Sequence, residues 1–243
     1  MHPSPPRRGD ALGDQVADDL RRQIVTRGIE AGASLVETRL AEIYQVSRGP
    51  VRDALRILAN EGLVETSGRS VRVLGLTRED IDELFRLRLA MEQMALTEAF
   101  GSRREGLLAL LRSAIADMEA AVAAGDPAAF TLADLTFHSA FGTASGLRRV
   151  QSVWSQYRGS ISNLLLVANL DHIDLQPSLK KHQQLLVMIE DGNDDAALAE
   201  LAHHVDASRV RVREHFTDAQ PDHHPPVDPP DSQGSPAPAD SAV

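Results

Sequence analysis

The chain has 243 residues, 42% of them hydrophobic and 25% charged, a composition that lets one or two domains bury a core unaided. It contains no cysteine, which excludes a disulfide framework, a thiolate nucleophile and a cysteine zinc finger. The net charge of −10 is unevenly spread: residues 1–75 carry 11 Arg, no Lys and 10 acids, a net of +1, and the remainder carries −11, which points to two modules with different partners.

No apolar run approaches the roughly 18 residues of a spanning helix. Residues 1–10 are Pro/Arg-rich and lack the apolar stretch of a signal peptide. A cytoplasmic protein with no membrane partner is the expectation. Of 13 prolines, 3 lie in residues 3–6 and 7 in residues 221–238. Between them stand only Pro50, Pro127 and Pro177, so the body can be largely helical. The Pro/Asp/Ser-rich stretch 218–243 lacks the apolar surface needed to order itself. Four regions follow: a disordered start at 1–10, a first module at 11–75, a second at 76–217 and a disordered tail at 218–243.

In the first module, Leu12, Val16, Leu20 and Ile24 mark one helix face. A short helix with Leu40, Ile43 and Val46 follows. Ser47 then reads as the N-cap of a third helix carrying Val51, Ala54, Leu55 and Leu58, with Pro50 in its first turn and Gly62 past its end. Residues 63–66 and 70–73 read as two short strands around Ser67-Gly68-Arg69. Three helices and a hairpin make a winged helix-turn-helix. The second module reads as six helices near 78–100, 103–124, 127–143, 150–168, 175–191 and 194–216, an all-α bundle. The fold class is therefore mainly α.

The third helix opens on Ser47-Arg48-Gly49-Pro50-Val51-Arg52, which aims free N–H groups and a positive dipole end outward. Arg48, Arg52 and Arg56 recur every fourth residue on the face opposite Val51 and Leu55. Arginine there suits guanine edges or phosphates in a major groove. A solvated arginine-rich face is the plainer alternative. In the bundle, Asp134 and His138 fall on the apolar stripe of Phe130, Phe137 and Phe141, and His182 on that of Leu179, Leu186 and Ile189. His204 falls on the stripe of Ala197, Leu201 and Val205, with His203 as its competitor. An inward carboxylate and three inward imidazoles form a plausible shell for a divalent transition metal, or else a set of hydrogen-bonded core residues. Arg88 lies on the inward stripe of Ile81, Leu84 and Met91, either to meet an anion or to pair with Glu92. Arg158, between Trp154 and Ile161, is a second such cation.

Residues 35–73 resemble the GntR family of bacterial transcription regulators, through Ser47-Arg48-Gly49-Pro50-Val51-Arg52-Asp53-Ala54-Leu55 and Leu58-Ala59-Asn60-Glu61-Gly62-Leu63-Val64. The resemblance implies DNA contacts at Thr38, Ser47, Arg48, Gly49, Pro50, Arg52, Gly68 and Arg69. Gly49 stands where the family usually has threonine, which removes one hydroxyl contact. The second module resembles the FadR C-terminal (FCD) domain. Metal-binding members of that domain carry Asp-x-x-x-His on one helix, matched by Asp134-Leu135-Thr136-Phe137-His138, and one histidine on each of the last two helices, matched by His182 and His204. This implies one divalent metal per chain (zinc foremost, or nickel, iron or manganese) held by Asp134, His138, His182 and His204. It also implies an organic-acid effector near Arg88 and Arg158.

The reading that unites these observations is a regulator, not an enzyme. Its homodimer binds a palindromic double-stranded operator and is switched by a small carboxylate at the metal site. The alternatives are a helical metalloenzyme using the Asp/His set and a structural metal domain. Neither His-Glu-x-x-His nor a second Glu-x-x-His beside Glu200–His203 is present to favour catalysis. Gly75, between wing and bundle, is the candidate hinge.

Overall fold

The computed structural model describes residues 12–67, 70–170 and 174–216. Its order is α1 (Leu12–Val25), α2 (Glu37–Tyr44), α3 (Arg48–Asn60), β1 (Val64–Ser67), β2 (Ser70–Val73), α4 (Arg78–Ala99), α5 (Arg104–Ala124), α6 (Pro127–Ser145), α7 (Arg148–Leu170), α8 (Gln176–Glu190) and α9 (Asp194–His215). A 3-10 turn, Gly101–Arg103, joins α4 to α5. The expected disordered ends, 1–10 and 218–243, and the wing residues Gly68 and Arg69 lie outside the described residues. No described helix is long and apolar enough to cross a membrane.

α1 buries Val16, Leu20 and Ile24 against Val51, Ala54, Leu55 and Leu58 of α3, the faces their four-residue spacing selects. Leu12 departs from that stripe and is 44% exposed at the first residue of α1, where the neighbouring Gly13 instead packs against Pro50 and Asp53. α2 stops at Tyr44, so Val46 sits in the turn to α3, where Gln45 adopts φ 54°. β1 and β2 pair antiparallel, Val64 with Val73 and Ser67 with Ser70, so the hairpin starts one residue later than the pattern suggested. Residues 32–35 add a third, short edge: Leu35 N–H donates to Val71 O at 2.8 Å and Gly32 N–H to Val73 O at 2.7 Å. Along that edge only Ala33 and Leu35 turn inward between the exposed Gly32 and Ser34, an alternation too short to mark a strand by itself.

Gly75 lies at φ +79°, a left-handed conformation that glycine adopts without Cβ strain, and turns the chain from wing to bundle. Thr77 then caps α4 with a reciprocal box: its Oγ accepts from Asp80 N–H at 3.1 Å, and Asp80 accepts from Thr77 N–H at 2.8 Å. Asp126 Oδ1 caps α6 by accepting from Ala128 and Ala129 N–H, both at 3.0 Å, with Pro127 at the first helical position. α6 packs against α5, α7 and α4, so nearly its whole circumference is buried. α9 lies on α4, and α8 on α5 and α9. On α7, Trp154, Ile161 and Leu164 are buried, but Val153 is 38% exposed: the inward stripe passes one side of it.

Candidate metal centre and nucleic-acid interface

The outer face of α3 is polar. Arg48, Arg52 and Arg56 are exposed there, as are Ser47, Gly49 and, on α2, Thr38, with Pro50 half-buried. Ser47 occupies the N-cap position in extended conformation, yet its hydroxyl makes no capping hydrogen bond. The start of α3 therefore keeps its free N–H groups directed outward. Arg52 donates from Nε to Glu37 Oε2 at 2.8 Å, which braces the side chain across the α2–α3 turn and leaves both terminal nitrogens outward. Arg56 leans on Asp53 at 3.4 Å. Arg48 has no ion-pair partner among the described residues. A Cβ at Gly49 would meet only Ser47 Oγ, at 3.9 Å, so what glycine gains here is an uncluttered outer surface.

The bundle carries its polar groups inside. Asp134, His138, His182 and His204 are all buried, and one ligand-type atom from each lies within 4.8 Å of the others. Periodicity places Asp134 and His138 one turn apart on the inward face of α6, and the packing of the helices brings the rest together. α8 and α9 each bring one imidazole to the same point. His203 is exposed. Phe137 meets the His182 ring edge-on at 5.0 Å, and Phe141 meets His138 at 5.7 Å, which keeps the pocket wall apolar.

The proton positions follow from the partners. His138 Nδ1 lies 2.8 Å from the Glu92 carboxylate, which can only accept, so Nδ1 carries the proton and Nε2 offers a lone pair. His182 Nδ1 donates to Ser178 O at 2.8 Å, and its Nε2 has no hydrogen-bond partner. His138 Nε2 lies 3.3 Å from His204 Nε2, within reach of an N–H from that ring, whereas His182 Nε2 is 3.0 Å from Asp134 Oδ1 without hydrogen-bond alignment. Burial raises the carboxyl of Asp134, but contact with His182 and the nearby His138 and Arg88 outweighs it and holds Asp134 well below the carboxylate range. Burial pushes His138 and His204 down, so both are neutral. Within the cluster His182 Nε2 and Asp134 Oδ2 are left unsatisfied in a dry cavity, a cost that a cation among them would remove. The donor set, with two second-sphere acceptors fixing ring orientation, fits a divalent transition metal.

Arg88 is wholly buried. Its Nε donates to Glu92 Oε1 at 2.8 Å, while Nη1 and Nη2 have no partner. Asp134 Oδ2 is also unpartnered. Of the two alternatives for Arg88, the pair with Glu92 is present, and it leaves the other edge of the guanidinium without a partner. Arg158 is half-buried and makes no hydrogen bond or ion pair with the cluster among the described residues. Arg211 was not anticipated. Burial lowers its pKa, Asp134 and Arg88 act on it electrostatically, and it donates to Ser208 Oγ at 3.1 Å. It stands seven residues, two turns, after His204, so the periodicity that marks His204 would have marked it too. Glu92 was seen only as a partner for Arg88, and its bridge to His138 crosses between helices that sequence spacing does not relate.

The "Bacterial regulatory proteins, gntR family" pattern matches residues 12–73, and the FCD domain matches residues 83–207. The chain belongs to the GntR family and carries an FCD domain. This GntR protein is 25% identical over 209 residues to the gluconate operon transcriptional repressor of Bacillus licheniformis, covering 84% of this chain and 86% of that one. It is 30% identical over 158 residues to the repressor of the same name in Bacillus subtilis (strain 168), covering 65% of each. Its fold is similar to that of E. coli McbR/YncC, with TM-score 0.69, 21% identity and coverage of 85% and 99%. It is also similar to a putative GntR regulator from Rhodococcus sp. RHA1, with TM-score 0.63, 25% identity and coverage of 83% and 97%. The GntR chain is thus a DNA-binding transcription regulator, and the families and relatives it matches are regulators rather than enzymes.

Proposed function

We propose that this regulator is an effector-controlled repressor that binds its operator as a homodimer, with a first module at 11–75 that reads DNA and a second at 76–217 that senses a metabolite. Thr38, Ser47, Arg48, Gly49, Pro50 and Arg52 meet the operator, with α3 in the major groove; Gly68 and Arg69 would extend that contact from the wing. One recognition helix reads too few base pairs for useful selectivity, which favours two heads on a palindrome. In the bundle, Asp134, His138, His182 and His204 hold one divalent transition metal, zinc foremost. Bound there, the metal supplies a cationic anchor for an anionic oxygen. Arg88 presents its open Nη edge to a carboxylate, and Arg211 adds positive charge from α9. Two relatives are named for a gluconate operon, which favours a sugar acid or related hydroxy acid as effector.

The observation that carries this reading is the set of buried unsatisfied atoms at one point: Arg88 Nη1 and Nη2, Asp134 Oδ2 and His182 Nε2. Buried polar atoms are ordinarily satisfied, and leaving one unmade costs about 1–3 kcal/mol. A metal and an anion satisfy all four. The test is native mass spectrometry for metal and subunit count, followed by thermal shift of metal-loaded and stripped protein against gluconate and other small carboxylates. One metal per chain, two chains, and a shift confined to the loaded form are expected. Equal stabilisation of both forms would remove the metal as anchor.

A further inference from the structure

The head meets the bundle through a polar seam. Arg21 of α1 is buried, and its Nε and Nη2 donate to Glu61 Oε2 and Oε1, each at 2.6 Å. Glu61, the residue that ends α3, also accepts from Ser160 Oγ of α7 at 2.8 Å. One position earlier on α7, Gly159 lies flat against the guanidinium. A Cβ there would stand 2.7 Å from Arg21 Cζ, 2.8 Å from Nε and 2.9 Å from Nη1. Gln156 adds a bond to Asn60 O at 2.5 Å. A cleft of about 320 Å³, lined in part by Asp14, Asp18 and Ser155, runs beside this contact.

The chemistry of the seam bears on its role. A buried ion pair loses most of its attraction to desolvation, so it fixes a geometry more than it adds net stability. α7 is also tied to α6 along its length. Trp154 Nε1 donates to Ser139 Oγ at 2.8 Å, Gln151 to Gly142 O at 2.7 Å and Asn169 to Thr131 Oγ at 3.0 Å. Ser139 directly follows His138. One continuous helix therefore touches both the helix that carries Asp134 and His138 and the helices that orient the recognition face. The covalent connection, by contrast, turns at Gly75.

We propose that Arg21, Glu61 and Ser160, seated by Gly159, form an interdomain clamp through which α7, rather than the linker around Gly75, transmits the state of the Asp/His site to the DNA-reading head. The transmitted signal rests on the metal reading above; the clamp itself does not. Gly159→Ala is the sharp variant. Alanine is the better helix former, and the atoms it meets are the end of a flexible side chain, so α7 persists while the guanidinium is displaced. Gly106→Ala in α5, with nothing within 4 Å of its Cβ, is the control. Ser160→Ala is a milder second variant.

The experiment is hydrogen exchange of the full chain, stripped and then loaded with Zn²⁺, Ni²⁺ or Mn²⁺, whichever the native mass shows to be taken up. Without metal, Gly159→Ala is expected to exchange faster than wild type across residues 17–25 and 57–63, on the order of tenfold, and Gly106→Ala to match wild type. Ser160→Ala is expected to fall between. On loading, the same segments slow in wild type but not in Gly159→Ala, while residues 130–142 slow in both. Unchanged exchange in stripped Gly159→Ala would overturn the clamp. An equal metal response of both heads would assign transmission to the linker. A chain that takes up none of these three metals, nor Fe²⁺ loaded without oxygen, would overturn the metal reading and the signal with it, and the stripped comparison would still decide the clamp.

Discussion

The two halves of this regulator place their functional groups on opposite sides of their cores. In the head, α1 and α3 bury an apolar seam, and the arginines of α3 stand in water on the outer face. In the bundle, α4, α6, α8 and α9 turn Arg88, Asp134, His138, His182 and His204 inward, each almost wholly buried. DNA is a large, highly charged surface that must be reached from outside. A small anion is instead recognised where water is excluded and each charge acts at full strength. On the function proposed above, the difference also sets what mutation costs: changes on the head's surface should weaken DNA binding, and changes in the bundle's interior should weaken folding and the proposed sensing together.

Four substitutions and one titration can break or sharpen this contrast. The largest effect is expected for His182→Ala. It should abolish metal uptake and, at a metal concentration a thousandfold above Kd, forfeit about 4 kcal/mol of stabilisation. Metal content and thermal unfolding check it, and undiminished uptake would show that His182 is no ligand. Arg88→Met should destabilise by about 3 kcal/mol, since Glu92 loses the cation that pairs with it in the interior. It should also erase the carboxylate response, read by denaturant unfolding and thermal shift. Arg48→Ala should cost about 2 kcal/mol in operator affinity with Tm unchanged. A loss of Tm instead would mean the residue supports the head's fold.

Acid should act on the bundle before the head. Burial holds His138 and His204 below the usual imidazole value in the folded state, so the unfolded chain binds protons first as pH falls. Stability is therefore full above about pH 6.5 and declines as pH drops below it toward the folded values. Protons also compete with metal for the same lone pairs, which should steepen the decline in the loaded protein. Unfolding curves of stripped and loaded protein from pH 7.5 to pH 5 measure both; a flat profile in both would mean the imidazoles titrate alike folded and unfolded. The smallest effect belongs to His203→Ala, which points to solvent and should change neither metal content nor Tm.

Much of the architecture was legible because local signals and global fold agree. The Asp126-Pro127 cap, the bound on α3 set by Ser47 and Gly62, and the four-residue stripes of α1, α6, α8 and α9 each state a helix and its buried face. The edge formed by residues 32–35 was illegible, because two inward residues, Ala33 and Leu35, are too short an alternation to mark a strand. Arg211 was legible in principle, two turns beyond His204.

Sequence alone determined which side chains share a face and which chemistry they carry, because helical periodicity fixes direction within one element. It thereby supplied the Asp134/His138 pair, the choice of His204 over His203 by stripe and resemblance, and the arginine face of α3. Only the tertiary structure decided relations between elements. It brought three helices to a point where four ligand atoms lie within 4.8 Å. It set Glu92 behind His138, left one edge of Arg88 open, and laid Gly159 against Arg21. Periodicity carries no information about the distance between helices, which the packing of whole side chains sets.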